Sequence, residues 1–357
     1  MRIIRLVGSV IGLSTALMAV AAVLPAAAVA QGTTPGTPAG ATQTTRFAVS
    51  GVLAAVTSMS ATNAWAVGST STNILIAHWN GRSWQRVASR LPASYSRLVA
   101  VSASSARGVW AAGTVSFSNG PLTERLTGAG WRRVPSPNPR GATSISGVAT
   151  VTARNVWAVG GTSQQTVIIH WNGKSWKRVP SPSPSPSGNF LEAVASGSAR
   201  NAWAVGSAGS STLILNWNGR AWRRMPSPSM AGLPVLYGVT GPGNAWAVGG
   251  SVDNGKTLIL HWTGRSWTRV PSPSPRSSTL YAVAAPSARD AWAVGIAGTK
   301  PLILHWNGAT WRRVASPCPA SYCTLTGVTA TSARNAWAVG YAGTRTLTLH
   351  WNGRRWR

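Results

Sequence analysis

The sequence predicts an all-β protein, a seven-bladed β-propeller with four antiparallel strands per blade. Three observations carry this. A Trp-Ala-Val-Gly motif, with small variations, recurs with its Trp at Trp65, Trp110, Trp157, Trp203, Trp246, Trp292 and Trp337, a period of about 43 to 47 residues. A second motif, typified by His-Trp-Asn-Gly-Arg-Ser-Trp at 78–84, follows each copy and ends at Trp84, Trp131, Trp176, Trp222, Trp267, Trp311 and Trp356. Its first Trp stands at Trp79, Trp171, Trp217, Trp262, Trp306 and Trp351, with Leu126 in the second copy. These three slots hold all 20 tryptophans of the chain.

Each unit carries four short strand signals, clearest in the fourth copy: Leu191–Ala195, Asn201–Gly206, Thr212–Trp217 and Trp222–Met225. They are rich in β-branched and aromatic residues, lie between Gly, Asn, Ser and Pro, and show no helical period. Asn218-Gly219 signals a hairpin between the third and fourth strands. The Pro-Ser-Pro run that follows cannot continue a ladder and so separates one unit from the next. A single unit cannot bury both its faces, so the units must stack. An open solenoid would also stack, but four-stranded sheets with bulky and small residues on opposite faces suit radial packing better. The first strand reads Leu-x-Gly/Ala-Val, as at 236–239, which suits the crowded position nearest the axis. The last unit reaches only Trp356-Arg357. Residues 46–49 are therefore expected to supply its missing outer strand and to close the ring.

Ahead of residues 46–357, assigned to the propeller, the chain reads as an export segment and a spacer. Residues 1–30 begin with a basic start (Met1 to Arg5) and an apolar run from Leu6 to Leu24. They end in Ala28-Val-Ala30, the small-x-small form of a signal-peptidase site. That form favours cleavage and a secreted or wall-associated protein; an uncleaved run of this length would instead be a membrane anchor. Residues 31–45, rich in Thr, Pro and Gly, lack any core-forming pattern and read as a flexible linker. In an exported chain, Cys318 and Cys323 are expected to form a local disulfide.

Charge is the informative feature of the composition. Lys and Arg number 33 against four acids, Glu124, Glu192, Asp253 and Asp290, giving a formal net charge of +29. In a four-stranded meander, the loop joining strands one and two shares a face with the loop joining strands three and four. The first loop carries Arg107, Arg154, Arg200, Arg289 and Arg334; the second carries Arg82, Lys174, Arg220, Arg265 and Arg354. The fourth strand starts at the same face with further cations, such as Arg223 and Arg224. Most of the basic residues thus fall on or near one face, and these ten are the candidate ligand-binding set. The opposite face is expected to be mainly Ser, Thr, Gly and Pro loops.

The Gly-x-x-Trp hairpin, as in Gly81-Arg-Ser-Trp84, resembles the Asp-box of BNR-type propellers. The Trp-Ala-Val-Gly strand resembles repeats of photosystem assembly factors and related bacterial BNR-like proteins. The whole pattern is similar to exported repeat proteins of actinobacteria. The resemblance covers about residues 46–357 and implies the fold. Trp79 and its equivalents stand where the box would carry its Asp, and sialidase chemistry is not implied.

Catalysis finds little support. Glycoside hydrolysis needs two carboxylates flanking one bond, and the four acids fall in different repeats and slots. The serines lack a credible acid for a Ser-His-Asp set, and carboxylates for a calcium site are missing. His78, His170, His261, His305 and His350 share one slot on five blades, too far apart to hold one metal; a hairpin hydrogen bond is their expected role. The tryptophans are expected between blades, leaving the His-Trp-Asn-Gly slot for any sugar contact. The reading is thus an expected monomer without cofactors or catalysis. Its basic face would engage an anionic envelope polymer, an acidic glycan or an acidic protein, and nucleic acid also fits. The alternatives are a multivalent lectin and a protein-assembly scaffold working through the Ser/Pro face. Repeat-breaking positions, Ala54, Val99, Ser146, Glu192, Tyr237, Tyr281 and Thr326, are where a specific site could hide.

Overall fold

The structure, a computed structural model, describes residues 47–89, 96–106, 108–115, 120–138, 143–241 and 243–357. The expected export segment, the spacer, Arg46 and Arg107 lie outside the described residues. What is described is a seven-bladed propeller with no helix among the described residues. Six blades are four-stranded antiparallel meanders, spanning 52–86, 96–133, 144–179, 189–224, 234–269 and 278–314. The seventh begins with three strands, Cys323–Ser332, Asn335–Ala342 and Arg345–Trp351.

The fourth-strand place of the seventh blade is shared by the two ends of the ring. Trp356 pairs with Trp351, and Arg357 and His350 exchange backbone hydrogen bonds of 3.1 and 2.9 Å. Farther along the same strand, Thr346 N donates to Val49 O at 2.9 Å and Thr346 Oγ1 to Phe47 O at 2.9 Å. Elsewhere the Ser-Pro-Ser run occupies this place: Thr166 Oγ1 donates to Pro182 O at 3.1 Å, and Thr166 N to Ser183 Oγ at 3.1 Å. The N-terminal segment thus stands in for a Ser-Pro-Ser strap, while the C-terminal pair makes the short strand expected of the N-terminal segment.

Tryptophan packing joins the blades. In the second strand, Trp157 meets Trp217 and Trp222 of the following blade at centroid distances of 4.9 and 5.3 Å, the latter pair at 88°. The same triad recurs around the ring, and at closure Trp337 meets Trp79 and Trp84 at 4.7 and 5.2 Å. Only the junction between the first two blades differs: Leu126 leaves Trp65 and Trp131 as a pair at 5.4 Å. Near-perpendicular pairs of this kind add about 0.5–1.5 kcal/mol each beyond their buried area. The indole N–H groups of Trp157, Trp222, Trp337 and Trp84 are buried without an acceptor, so ring packing alone holds these side chains.

The recurrent Gly of the second strand has a steric reason. A Cβ on Gly160 would overlap the carbonyl oxygen of Ser144 on the innermost strand. That close approach lies beside a β-bulge, where the register jumps from Ile145 to Gly147 and leaves Ser146 unpaired. The same jump skips Ala54, Val99, Glu192, Tyr237, Tyr281 and Thr326. The repeat-breaking positions are therefore the seven bulged residues of the innermost strands. Each preceding Leu or Ile is sealed between blades, whereas all seven bulged residues are half-buried. The innermost strands contact one another around a closed ring, so the space open to these side chains is the axial channel.

Candidate binding face

The cationic side chains are set by two small polar turns. In the hairpin between the third and fourth strands, Trp171 and Trp176 pair, so the loop has four residues and is longer than a two-residue Asn-Gly turn. Asn172 Oδ1 accepts from Lys174 N and Ser175 N, both at 3.0 Å. This side-chain turn recurs with Asn80 under Arg82, Asn218 under Arg220 and Asn352 under Arg354; Thr263 replaces Asn under Arg265. In the loop joining the first two strands, a hydroxyl does the same work. Thr152 receives Arg154 N, and Ser198, Ser287 and Ser332 receive the N–H groups of Arg200, Arg289 and Arg334.

The two loops touch. A Cβ on Gly173 would lie 3.2 Å from Cβ of Arg154, and Gly219, Gly308 and Gly353 stand in the same relation to Arg200, Arg289 and Arg334. The indole N–H of Trp217 donates across this junction to Ala199 O at 3.1 Å, as Trp79, Trp306 and Trp351 do in their blades. One propeller face therefore carries Arg82, Arg154, Lys174, Arg200, Arg220, Arg265, Arg289, Arg334 and Arg354. All nine are exposed, and among the described residues none is in an ion pair. Arg107, the tenth candidate, lies outside the described residues. Repetition turns these cations into a ring whose field attracts anionic polymers over long range.

The fold is shared with solved propellers. YCF48 bound to D1 peptide is 15% identical with a TM-score of 0.57, over 86% of this chain and 96% of that chain. YCF48 from Cyanidioschyzon merolae is 17% identical with a TM-score of 0.56, over 84% and 95%. The WD40 repeats of RRP9 are 10% identical with a TM-score of 0.61, over 84% and 94%. At such identities the likeness is one of fold. No known protein family and no curated protein sequence matches the chain.

The other slots are largely occupied by the scaffold. His170 Nε2 meets Asn155 Oδ1 at 2.8 Å and its ring packs on Trp157 at 4.3 Å. The same pair forms at His78, His261 and His350, and burial lowers the pKa of all four. Each bond ties the end of the third strand to the start of the second. In the sixth blade Asp290 takes the Asn place and pairs with His305 at 2.7 Å. Glu124 is fully buried and accepts from Ser89 Oγ at 3.0 Å. Burial raises its pKa, against the opposing pull of Ser89 and Arg133. Cys318 and Cys323 form a disulfide.

The structure adds two features, the second of which gathers three of the repeat-breaking positions, Glu192, Tyr237 and Tyr281. Lys256, Arg269, Ser272 and Ser274 line an outer cavity of about 460 Å³ on the fifth blade. The channel mouth opposite the cationic face gathers Glu192, Tyr237, Tyr281, Tyr322 and Tyr341 from four consecutive blades. Tyr237 and Tyr281 meet at 5.5 Å, and Tyr322 and Tyr341 at 5.9 Å. Tyr281 stands on the sixth blade, next in order to the seventh blade's Tyr322 and Tyr341. This face is also less neutral than expected, because Lys256 and Arg276 lie in its loops and Lys300 and Arg345 begin strands there.

Proposed function

We propose that this chain is an exported, non-catalytic binding propeller that engages an anionic polymer or acidic partner through its cationic face. The observation that carries this is the repeated pair of touching loops, with cations such as Arg154 and Lys174 fixed at their backbone and unpaired at their heads. A surface built only for solubility has no need of loops that interlock, as they do at Gly173, Gly219, Gly308 and Gly353. Envelope phosphopolymers, acidic glycans and acidic proteins all offer the matching charge. The tryptophan slots favour this reading over a lectin, because the second- and fourth-strand rings are buried in contacts between blades. The deciding experiment is binding of the chain to anionic and neutral polysaccharides, polyphosphate and DNA across a salt series. Binding to several polyanions that weakens steeply with salt supports the proposal. Salt-resistant binding to one neutral sugar overturns it.

A further inference from the structure

Glu192 stands apart from every other acid in the molecule. Glu124 and Asp290 are buried and hydrogen-bonded to Ser89 and His305, and Asp253 is exposed in a loop. Glu192 is the bulged residue of the innermost strand Asn189–Ser198, half-buried at the channel wall. Its carboxyl forms no hydrogen bond or ion pair among the described residues, although the chain has 33 Lys and Arg. Its described electrostatic neighbour is Tyr237, the bulged residue of the next blade, whose ring packs against Tyr281 of the blade after that. Neither hydroxyl has a hydrogen-bond partner shown among the described residues. Four of the chain's five tyrosines belong to this arc, and no other sector of the innermost ring has an aromatic or an acid at the bulge.

The surround is equally uneven. The exposed large apolar residues of the described chain are Leu233, Val252 and Tyr322, at 39%, 60% and 37%. All three sit in loops at this mouth: Leu233 and Val252 touch through a 3.3 Å backbone hydrogen bond in the fifth blade, and Tyr322 precedes the seventh blade's innermost strand. An unpaired carboxyl beside electron-rich rings is chemistry for a cation, since a ring face and the ionised form of the acid both attract it. Apolar residues around the mouth match a chain that carries that cation, and a free inorganic ion would have no use for them.

We infer that the channel mouth formed by Glu192, Tyr237 and Tyr281 binds a lysine or arginine side chain of a partner polypeptide, with Leu233, Val252 and Tyr322 receiving its apolar neighbours. This site is independent of the cationic face and lies at the opposite end of the axis. The long-range field of the protein opposes a cation, so the contact is short-ranged and is strengthened by salt that screens that repulsion.

The test uses the whole chain in moderate salt and calorimetric titration with acetyl-Leu-Lys-Leu-amide, its norleucine analogue and butylamine. The lysine peptide is expected to bind about tenfold more tightly than the norleucine peptide, and more tightly than butylamine. Glu192→Gln is expected to erase the lysine preference, while Tyr237→Phe, which keeps the ring, retains most of it. Replacing Arg154 and Lys174 by Gln is expected to change none of this. Equal binding of the two peptides, or a preference that survives Glu192→Gln, overturns the assignment. Butylamine binding as well as the lysine peptide overturns the polypeptide partner.

Discussion

The stem of Arg154 lies across Gly173, the hairpin glycine, which itself adopts a φ of +96°. This contact converts two sequence-distant loops into one ledge, and the positive φ, which Gly264 keeps where no such contact exists, explains why the hairpin needs a glycine. Gly173→Ala should cost about 1–2 kcal/mol, from backbone strain and displacement of Arg154 together. Urea unfolding measures the loss. A neutral outcome would show that the ledge has room to relax.

Neutralising a single ledge should be visible in binding without harming the fold. For Arg154→Gln with Lys174→Gln, the slope of log affinity for heparin against log salt should flatten by about one to two. Thermal stability should be unchanged, because both side chains are exposed and unpaired. An unchanged slope would remove this blade from the binding face.

Ring closure can be tested at Trp337, which packs against both Trp79 and Trp84. Trp337→Ala opens a cavity between the last and first blades and should cost about 3–5 kcal/mol. Hydrogen exchange should then rise first in strand Arg345–Trp351, which also holds Phe47 to Ser50. Uniform loss of protection around the ring would contradict a local seam.

Burial raises the pKa of Glu192 from 4.5 to about 7. Between these values the folded chain holds a proton that the unfolded chain has released. Stability linked to this group is therefore complete below the lower value and is lost as pH rises through the upper one. Glu192→Gln cannot ionise, so it should gain on the parent chain by up to about 3 kcal/mol between about pH 4 and about pH 8. A difference that stays constant over that range would place the carboxyl in water.

Trp65 and its six counterparts made the blade count readable, because a large ring at a fixed period has one economical arrangement. Arg154 and Lys174 could be assigned to one face because strand order alone decides which loops share an end. The tyrosine arc was readable only in part: Glu192, Tyr237 and Tyr281 stood out as repeat-breaking positions, but the direction of their side chains did not. Whether Tyr237 points between blades or down the axis depends on the bulge that skips it, and strand periodicity contains no sign of that one-residue slip. Tyr341 was hidden for another reason: it lies on a second strand and reaches the mouth only through Tyr322. The shared outer strand of the seventh blade was half readable, since residues 46–49 were a visible candidate but the pairing of Trp356 with Trp351 depends on three-dimensional register.

The unequal ends of the ring give the molecule an electric dipole along its axis. The interlocked loops crowd positive charge at one end, while at the other Glu192 and Asp253 partly offset the fewer cations Lys256, Arg276, Lys300 and Arg345. On a negatively charged sheet such a body lands face down before any specific contact forms. The tyrosine mouth is then turned outward, and the molecule is oriented as an adaptor is, anchored below and open to a second partner above.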